Sequence, residues 1–178
     1  MTGRNIILIG MPAVGKSTVG VLLAKRLGFA FLDTDLIIQC GEGKRLQTLI
    51  TDQGVEGFKN MEADYLQKLA PYETVIATGG SVVYRDQGMV HLQQLGRVIF
   101  LNIGLASLKK RLEGLDERGV VHLPGQTIEG IFYERQPLYK KYSQLTIETD
   151  GRTPEFIVRA ICRALSQDPL FRNIKSKG

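Results

Sequence analysis

The stretch Gly10-Met11-Pro12-Ala13-Val14-Gly15-Lys16-Ser17 constrains this chain more than any other. It fits the spacing G-x-x-x-x-G-K-[ST], a loop that cradles phosphate. Gly10 and Gly15 let the backbone turn tightly and approach an anion with no side chain between. The N–H groups of the turn and of the following helix point at the anion, and the helix dipole favours negative charge there. Lys16 is placed to reach the β- and γ-phosphates of a nucleotide, and Ser17 to offer its hydroxyl to Mg²⁺. The context agrees. Asn5-Ile6-Ile7-Leu8-Ile9 reads as a buried parallel strand. Val19, Leu22, Leu23, Arg26 and Leu27 recur at helical spacing, and Gly28 is a natural stop. Strand, loop and helix occur in the order the motif requires.

The rest of the chain keeps alternating. Residues 4–9 are read as a strand, 16–27 as a helix, and Phe29 to Leu32 as a second strand. That strand ends at Asp33-Thr34-Asp35, so carboxylates emerge at a strand's C-terminal edge, where ligands of open parallel sheets bind. Asp35 has a structural alternative as the cap of a helix starting at Leu36. Beside a phosphate loop, one carboxylate is suited to hold Mg²⁺ through water and the other to position or deprotonate an acceptor hydroxyl. Gly41 to Gly54 predicts short helices, and Phe58, Met61, Glu62, Tyr65, Leu66 and Leu69 a helical face. Thr74 to Thr78 reads as a strand closed by Gly79-Gly80-Ser81, where bare backbone lets a substrate lie close. Arg97 to Asn102 is a fourth strand and Ala106 to Leu115 a helix.

Gly114 to Gln126 is polar, glycine-bearing and aperiodic, and is read as a lid. Thr127 to Lys141 predicts a helix that Pro137 should kink or end. Leu145 to Glu148 is a fifth strand, and Thr153-Pro154 opens a last helix. Periodicity fades after about Gln167, and that tail is expected to fray. This alternation gives a three-layer α/β fold, a five-stranded parallel sheet flanked by helices, in one domain spanning 1–178.

The net charge of +5 suits an enzyme that handles anions. It does not point to a nucleic-acid binder, because the positive charge is scattered and no aromatic-rich RNA motif is present. Two cysteines, Cys40 and Cys162, make no disulfide framework and read as reduced core thiols. No signal peptide or membrane span is evident, so a cytoplasmic chain without membrane contact is expected. Nothing advertises a large apolar interface, and a monomer is expected.

The segments GMPAVGKSTVG, FLDTD, FKNMEAD, ATGGS, ERQPLY and ETDGRTPE, in this order and spacing, resemble the shikimate kinase family from about Asn5 to Leu165. The resemblance implies a nucleoside-monophosphate-kinase-like P-loop fold, with a substrate-binding segment at about 35–62 and a lid at about 114–126. It implies ATP and Mg²⁺, and transfer of the γ-phosphoryl group to a hydroxyl of shikimate. By position it makes Gly10, Ala13, Val14, Gly15, Lys16, Ser17 and Thr18 the phosphate-binding set. Asp33 falls on the carboxylate near the metal, with Ser17, and Asp35 on the one that binds the acceptor hydroxyls and acts as base. Gly79 and Gly80 fall on the glycines lining the acceptor site, and Arg135 on the arginine that grips the acceptor's carboxylate. Arg118 falls on the lid arginine that reaches the phosphates; Arg111 and Arg152 fall on residues around the adenine.

Three departures stand out. Lys59 occupies the place of an arginine in Phe-Arg-x-x-Glu, giving a point charge where a bidentate fork is usual. Ser81 replaces the third glycine of Gly-Gly-Gly, where its side chain is expected to crowd the site. Arg118 is followed by Gly119-Val120-Val121 instead of Pro-Leu-Leu. These changes leave two alternatives: a related kinase acting on another hydroxy acid or a sugar acid such as gluconate, and a nucleotide-binding protein without kinase activity.

Overall fold

The structure is a computed structural model describing residues 3–113 and 125–172. Its elements are β1 (Asn5–Ile9), α1 (Lys16–Leu27), β2 (Ala30–Asp33), α2 (Thr34–Glu42), α3 (Leu46–Gln67), β3 (Thr74–Ala77), α4 (Asp86–Leu95), β4 (Gly96–Asn102), α5 (Leu105–Leu112), α6 (Ile128–Tyr142), β5 (Leu145–Glu148) and α7 (Pro154–Leu165). The strands form one parallel sheet in the order β2-β3-β1-β4-β5. β1 is central, with Ile7 opposite Ile76 on one side and Val98 on the other. Every residue of β1 and β3 is buried, as a parallel strand covered on both faces requires. The edge strand β5 instead alternates half-buried and exposed residues.

Helices pack on the sheet, α1 against α7 and α3 against α4. One apolar core joins β1, β3 and β4 to these helices and to α6, through Leu23, Leu66, Met89, Tyr139 and Ile161 among others. A second, smaller cluster of Ile38, Leu49 and Phe58 ties α2 to α3. The connections after β1, β2 and β3 emerge together at the C-terminal edge of the sheet. The chain passes from β3 across β1 to β4, so the crevice at which such sheets bind ligands lies beside the phosphate loop.

The five-stranded parallel sheet between helices is the architecture the sequence predicts. Three local expectations change. The helix α6 runs through Pro137 to Tyr142 without ending there. Pro137 and Tyr133, whose carbonyl the ring displaces, are both exposed, while Ile131, Phe132, Arg135, Tyr139 and Tyr142 hold the other face. The short helix expected in the region 41–54 is present: it starts at Leu46 and breaks at Gly54 (φ 71°, ψ 169°), and a longer helical stretch follows to Gln67. Cys40 is exposed and is no core thiol; Cys162 is half-buried against the core. The first residues beyond Gln167 stay packed, with Phe171 buried and Asp168 paired with Arg97, while residues 173–178 of the expected frayed tail lie outside the described residues. Among the described residues, no helix is long and apolar enough to cross a membrane.

Candidate active site

The phosphate loop joins β1 to α1. Gly10 has φ 146°, and a Cβ there would lie 2.6 Å from the Leu101 carbonyl oxygen. Gly15 has φ 101° and Ala13 φ 61°, bends that make a concave nest of backbone N–H groups. Val14 is buried, and its N–H donates back to the Met11 carbonyl at 3.3 Å, closing the turn. Lys16 is buried, and its Nζ donates to the Gly10 and Met11 carbonyls, each at 2.8 Å. Burial pulls its pKa down to about 8, against the opposing pull of Asp35. Phosphate oxygens in the loop would restore its charge. Arg111 reaches in from α5, its Nη1 donating to the Val14 carbonyl at 2.7 Å. Ser17 and Thr18 stand exposed in the first turn of α1.

Asp33 ends β2 and caps α2, its Oδ1 accepting from the Asp35 N–H at 3.0 Å. Its Oδ2 accepts from the Ser17 hydroxyl at 2.7 Å. A hydroxyl and a carboxylate oxygen side by side at the edge of the loop fit a hard, oxygen-seeking cation such as Mg²⁺. The capping role open to Asp35 thus falls to Asp33, and the Asp35 carboxyl is left for other work. Burial, helped by the Asp33 charge, pushes Asp35 up to about 6.

The glycine pair after β3 is where the remaining groups meet. A Cβ on Gly79 would lie 2.5 Å from Glu62 Oε1 and 2.8 Å from Asp35 Oδ1. A Cβ on Gly80 would lie 2.8 Å from Pro12 of the phosphate loop and 3.1 Å from Arg135 Nη1. The bare backbone therefore separates two carboxyls on one side from a guanidinium and the phosphate loop on the other. The pair is fixed in place: the Gly79 N–H donates to Thr34 Oγ1 at 3.2 Å, and the Tyr139 hydroxyl to the Gly80 carbonyl at 2.6 Å. Tyr139 in turn stacks on Phe100 with ring centroids 5.0 Å apart. Ser81 is buried, its hydroxyl donating to Glu62 Oε2 at 2.8 Å. Burial still raises Glu62 to about 7 despite that bond.

Arg135 lies on the inner face of α6, only 1% exposed. Its Nε donates to the Tyr84 hydroxyl at 3.1 Å, and its Cζ lies 5.1 Å from the Tyr84 ring centroid. Lys59 approaches the same ring, its Nζ 4.0 Å from the centroid. Lys59 is no solvated helix lysine: it is buried and pairs with Glu56 at 2.8 Å. Glu56 also takes Arg85 at 2.6 Å, and these two donors hold its carboxyl down to about 2. Tyr84 thus has two cations against its ring, an arrangement each cation–π contact favours.

The structure brings Gly10, Ala13, Val14, Gly15, Lys16, Ser17, Asp33, Asp35, Gly79, Gly80, Lys59, Arg111 and Arg135 to one edge of the sheet. Arg152 is exposed in the turn after β5, its guanidinium 4.6 Å from the Phe156 ring. The expected lid at about 114–126 and its Arg118 lie outside the described residues, except for Gly125 and Gln126. Glu62, Tyr84 and Tyr139 belong to the site without having been singled out as site residues from sequence. Tyr139 carries a signal in Glu-Arg-Gln-Pro-Leu-Tyr, and Glu62 in Phe-Lys-Asn-Met-Glu; nothing local marks Tyr84.

Known proteins resemble this chain in sequence and fold. The family model described as shikimate kinase matches residues 12–166. The shikimate kinase of Thermodesulfovibrio yellowstonii is 34% identical over 163 residues, covering 90% of this chain and 94% of that protein. The structure of shikimate kinase from Acinetobacter baumannii in complex with shikimate superposes with a TM-score of 0.86 at 28% identity, covering 95% of this chain and 96% of that one. A gluconokinase from Sinorhizobium meliloti, at 20% identity and TM-score 0.58 over 95% of this chain and 94% of its own, shares the fold alone. The family match runs from Pro12 in the loop past the Gly79–Gly80 edge and α6 to Ser166, and the chain belongs to the shikimate kinase family.

Proposed function

We propose that this chain transfers the γ-phosphoryl group of ATP to a hydroxyl of shikimate, giving shikimate 3-phosphate. One observation carries the reading. Gly79 and Gly80 stand between the Asp35 carboxyl and the Arg135 guanidinium, with Pro12 of the phosphate loop against Gly80. A small hydroxy acid laid on that bare backbone would turn its carboxylate to Arg135 and a hydroxyl to Asp35, facing the loop.

The division of labour follows from the geometry. The loop N–H groups and Lys16 would hold the phosphates, with Arg111 beside the loop toward the adenine. Arg118 and Arg152 complete the nucleotide site in this proposal. Ser17 and Asp33 would hold Mg²⁺, which when bound supplies neutralisation of phosphate charge. Asp35 would position the acceptor hydroxyl and take its proton. Arg135 would grip the acid bidentately, with Lys59 beside it as a point charge. The cluster of Ile38, Leu49 and Phe58 supports treating 35–62 as a segment packed on its own behind this edge, within a single domain. The exposed large apolar residues Val21, Leu36, Tyr72, Val90, Tyr133 and Phe156 lie on separate elements, which supports a monomer. The proposal places it in the cytoplasm with small-molecule partners.

Purified protein supplied with ATP, Mg²⁺ and a panel of hydroxy acids tests the reading through ADP release. Shikimate is expected to be used far better than gluconate. Good use of gluconate with none of shikimate would leave a kinase with another acceptor. ATP binding without any acceptor use would leave a nucleotide-binding protein.

The pH profile follows from the two shifted groups. Asp35 must be ionised to accept a proton, so kcat/KM should fall as pH drops through about 6. Lys16 must be charged to meet phosphate, so kcat/KM should also fall as pH rises through about 8. A profile flat from acid to alkaline pH would remove both assignments.

Lys59→Arg restores a forked donor without changing charge. One better-formed charged hydrogen bond is worth about 1 kcal/mol, or several-fold in affinity. The KM for shikimate should fall by that factor with the KM for ATP unchanged, and Lys59→Ala should raise it. An unchanged shikimate KM in both variants would place Lys59 in a purely structural pair with Glu56.

A further inference from the structure

The far ends of α1 and α7 enclose a cavity of ≈ 340 Å³. It is lined by Arg26 from α1, Arg159, Cys162 and Arg163 from α7, and Phe171 and Arg172 beyond it. Its volume falls in the range of small-ligand sites. Lys16 and Arg26 stand ten residues apart on one helix, which puts the cavity about 15 Å along α1 from the phosphate loop.

Four guanidiniums line it and, among the described residues, no carboxylate does. Elsewhere the arginines Arg4, Arg85 and Arg97 each have an acidic partner. Among the described residues, Arg26, Arg159, Arg163 and Arg172 form no ion pair. Asp168 does not offset them: one of its oxygens pairs with Arg97 and the other accepts from the Leu170 N–H. Arg26 Nε is buried with no hydrogen-bond partner among the described residues. An unmade bond from a buried donor costs stability, and an anion in the cavity would supply it.

Helix dipoles explain part of this charge. Arg26 and Arg163 sit in the last turns of α1 and α7, where a cation is favoured. Two helix ends carry together about one negative charge, against four positive ones. Arg159 lies a turn before the end of α7, and Arg172 beyond the helix, so the dipoles give no reason for either. Arginine's fixed fork matches phosphate oxygens in pairs, and several forks around one space suit several phosphate groups.

We propose that this cavity is a second anion site, separate from the phosphate loop, that takes a small molecule carrying a diphosphate group. The inference is independent of which acceptor the phosphate-loop site uses. Inorganic pyrophosphate is the probe, added to the full chain after the phosphate loop is saturated with a non-hydrolysable ATP analogue and Mg²⁺. Calorimetry should then find one pyrophosphate bound per chain. The double substitution Arg159→Gln/Arg163→Gln removes two exposed guanidiniums, so the fold is preserved, and it should weaken pyrophosphate by about tenfold or more. Affinity for the ATP analogue should not change. Cys162 lines the cavity and gives a local readout. Pyrophosphate should slow its alkylation several-fold, with the exposed Cys40 as internal reference. The inference is overturned if no pyrophosphate binds once the loop is filled. It is equally overturned if the double variant binds as well as the parent, or if Cys162 is not protected.

Discussion

Lys16→Ala is expected to lower turnover by about two to three orders of magnitude and to leave the fold intact. Phosphoryl transfer depends on positioning and charge stabilisation, and Lys16 is the cation at the centre of the phosphate loop. The structural cost should be small. Alanine is the best helix former, and position 16 opens α1. The two carbonyls that lose Nζ, those of Gly10 and Met11, belong to the loop itself and not to the sheet or a helix. Circular dichroism and thermal unfolding should match the parent while ADP release collapses. Near-parental turnover at saturating ATP would show that the loop does no catalytic work.

Asp35→Asn should also lower kcat, by about two to four orders of magnitude, with little change in ATP affinity. The amide keeps the shape but cannot accept the acceptor's proton. The Asp35 carboxyl faces Gly79, whereas Asp33 is the group hydrogen-bonded to Ser17. The substitution also removes a carboxylate that sustains the Lys16 charge, so the alkaline limb of any residual activity should move down in pH. If ATP binding weakened as much as turnover fell, Asp35 would belong with the metal-holding pair and not with the acceptor.

The parts of this molecule that sequence reveals are those whose cause is local. The phosphate loop is one continuous stretch, and its flanking strand and helix follow from apolar spacing, so β1 and α1 fall where they are expected. Asp33 and Asp35 were legible as a pair at a strand end. Which of them caps α2 was not, because that depends on the strand running one residue further, to Asp33. The partner of Ser81 was hidden for a different reason. Glu62 lies 19 residues away on α3, and only the packed fold brings the hydroxyl to that carboxyl. Tyr84 was invisible for the same reason, since its two cations come from α3 and α6. Pro137 shows the opposite case: of the two outcomes its local rule allows, a kink or an end, α6 does not end there, and five buried side chains hold the face opposite the exposed proline. Cys40 shows that an apolar neighbourhood in sequence does not make a buried residue when α2 turns it outward.

A crystal structure of the chain with shikimate, ADP and Mg²⁺ tests the central claim most directly. Shikimate should lie on Gly79 and Gly80, its carboxylate within hydrogen-bond distance of Arg135 and a hydroxyl within the same distance of Asp35. That hydroxyl should face the phosphate loop. Shikimate bound with its carboxylate away from Arg135, or with no hydroxyl at Asp35, would contradict the account.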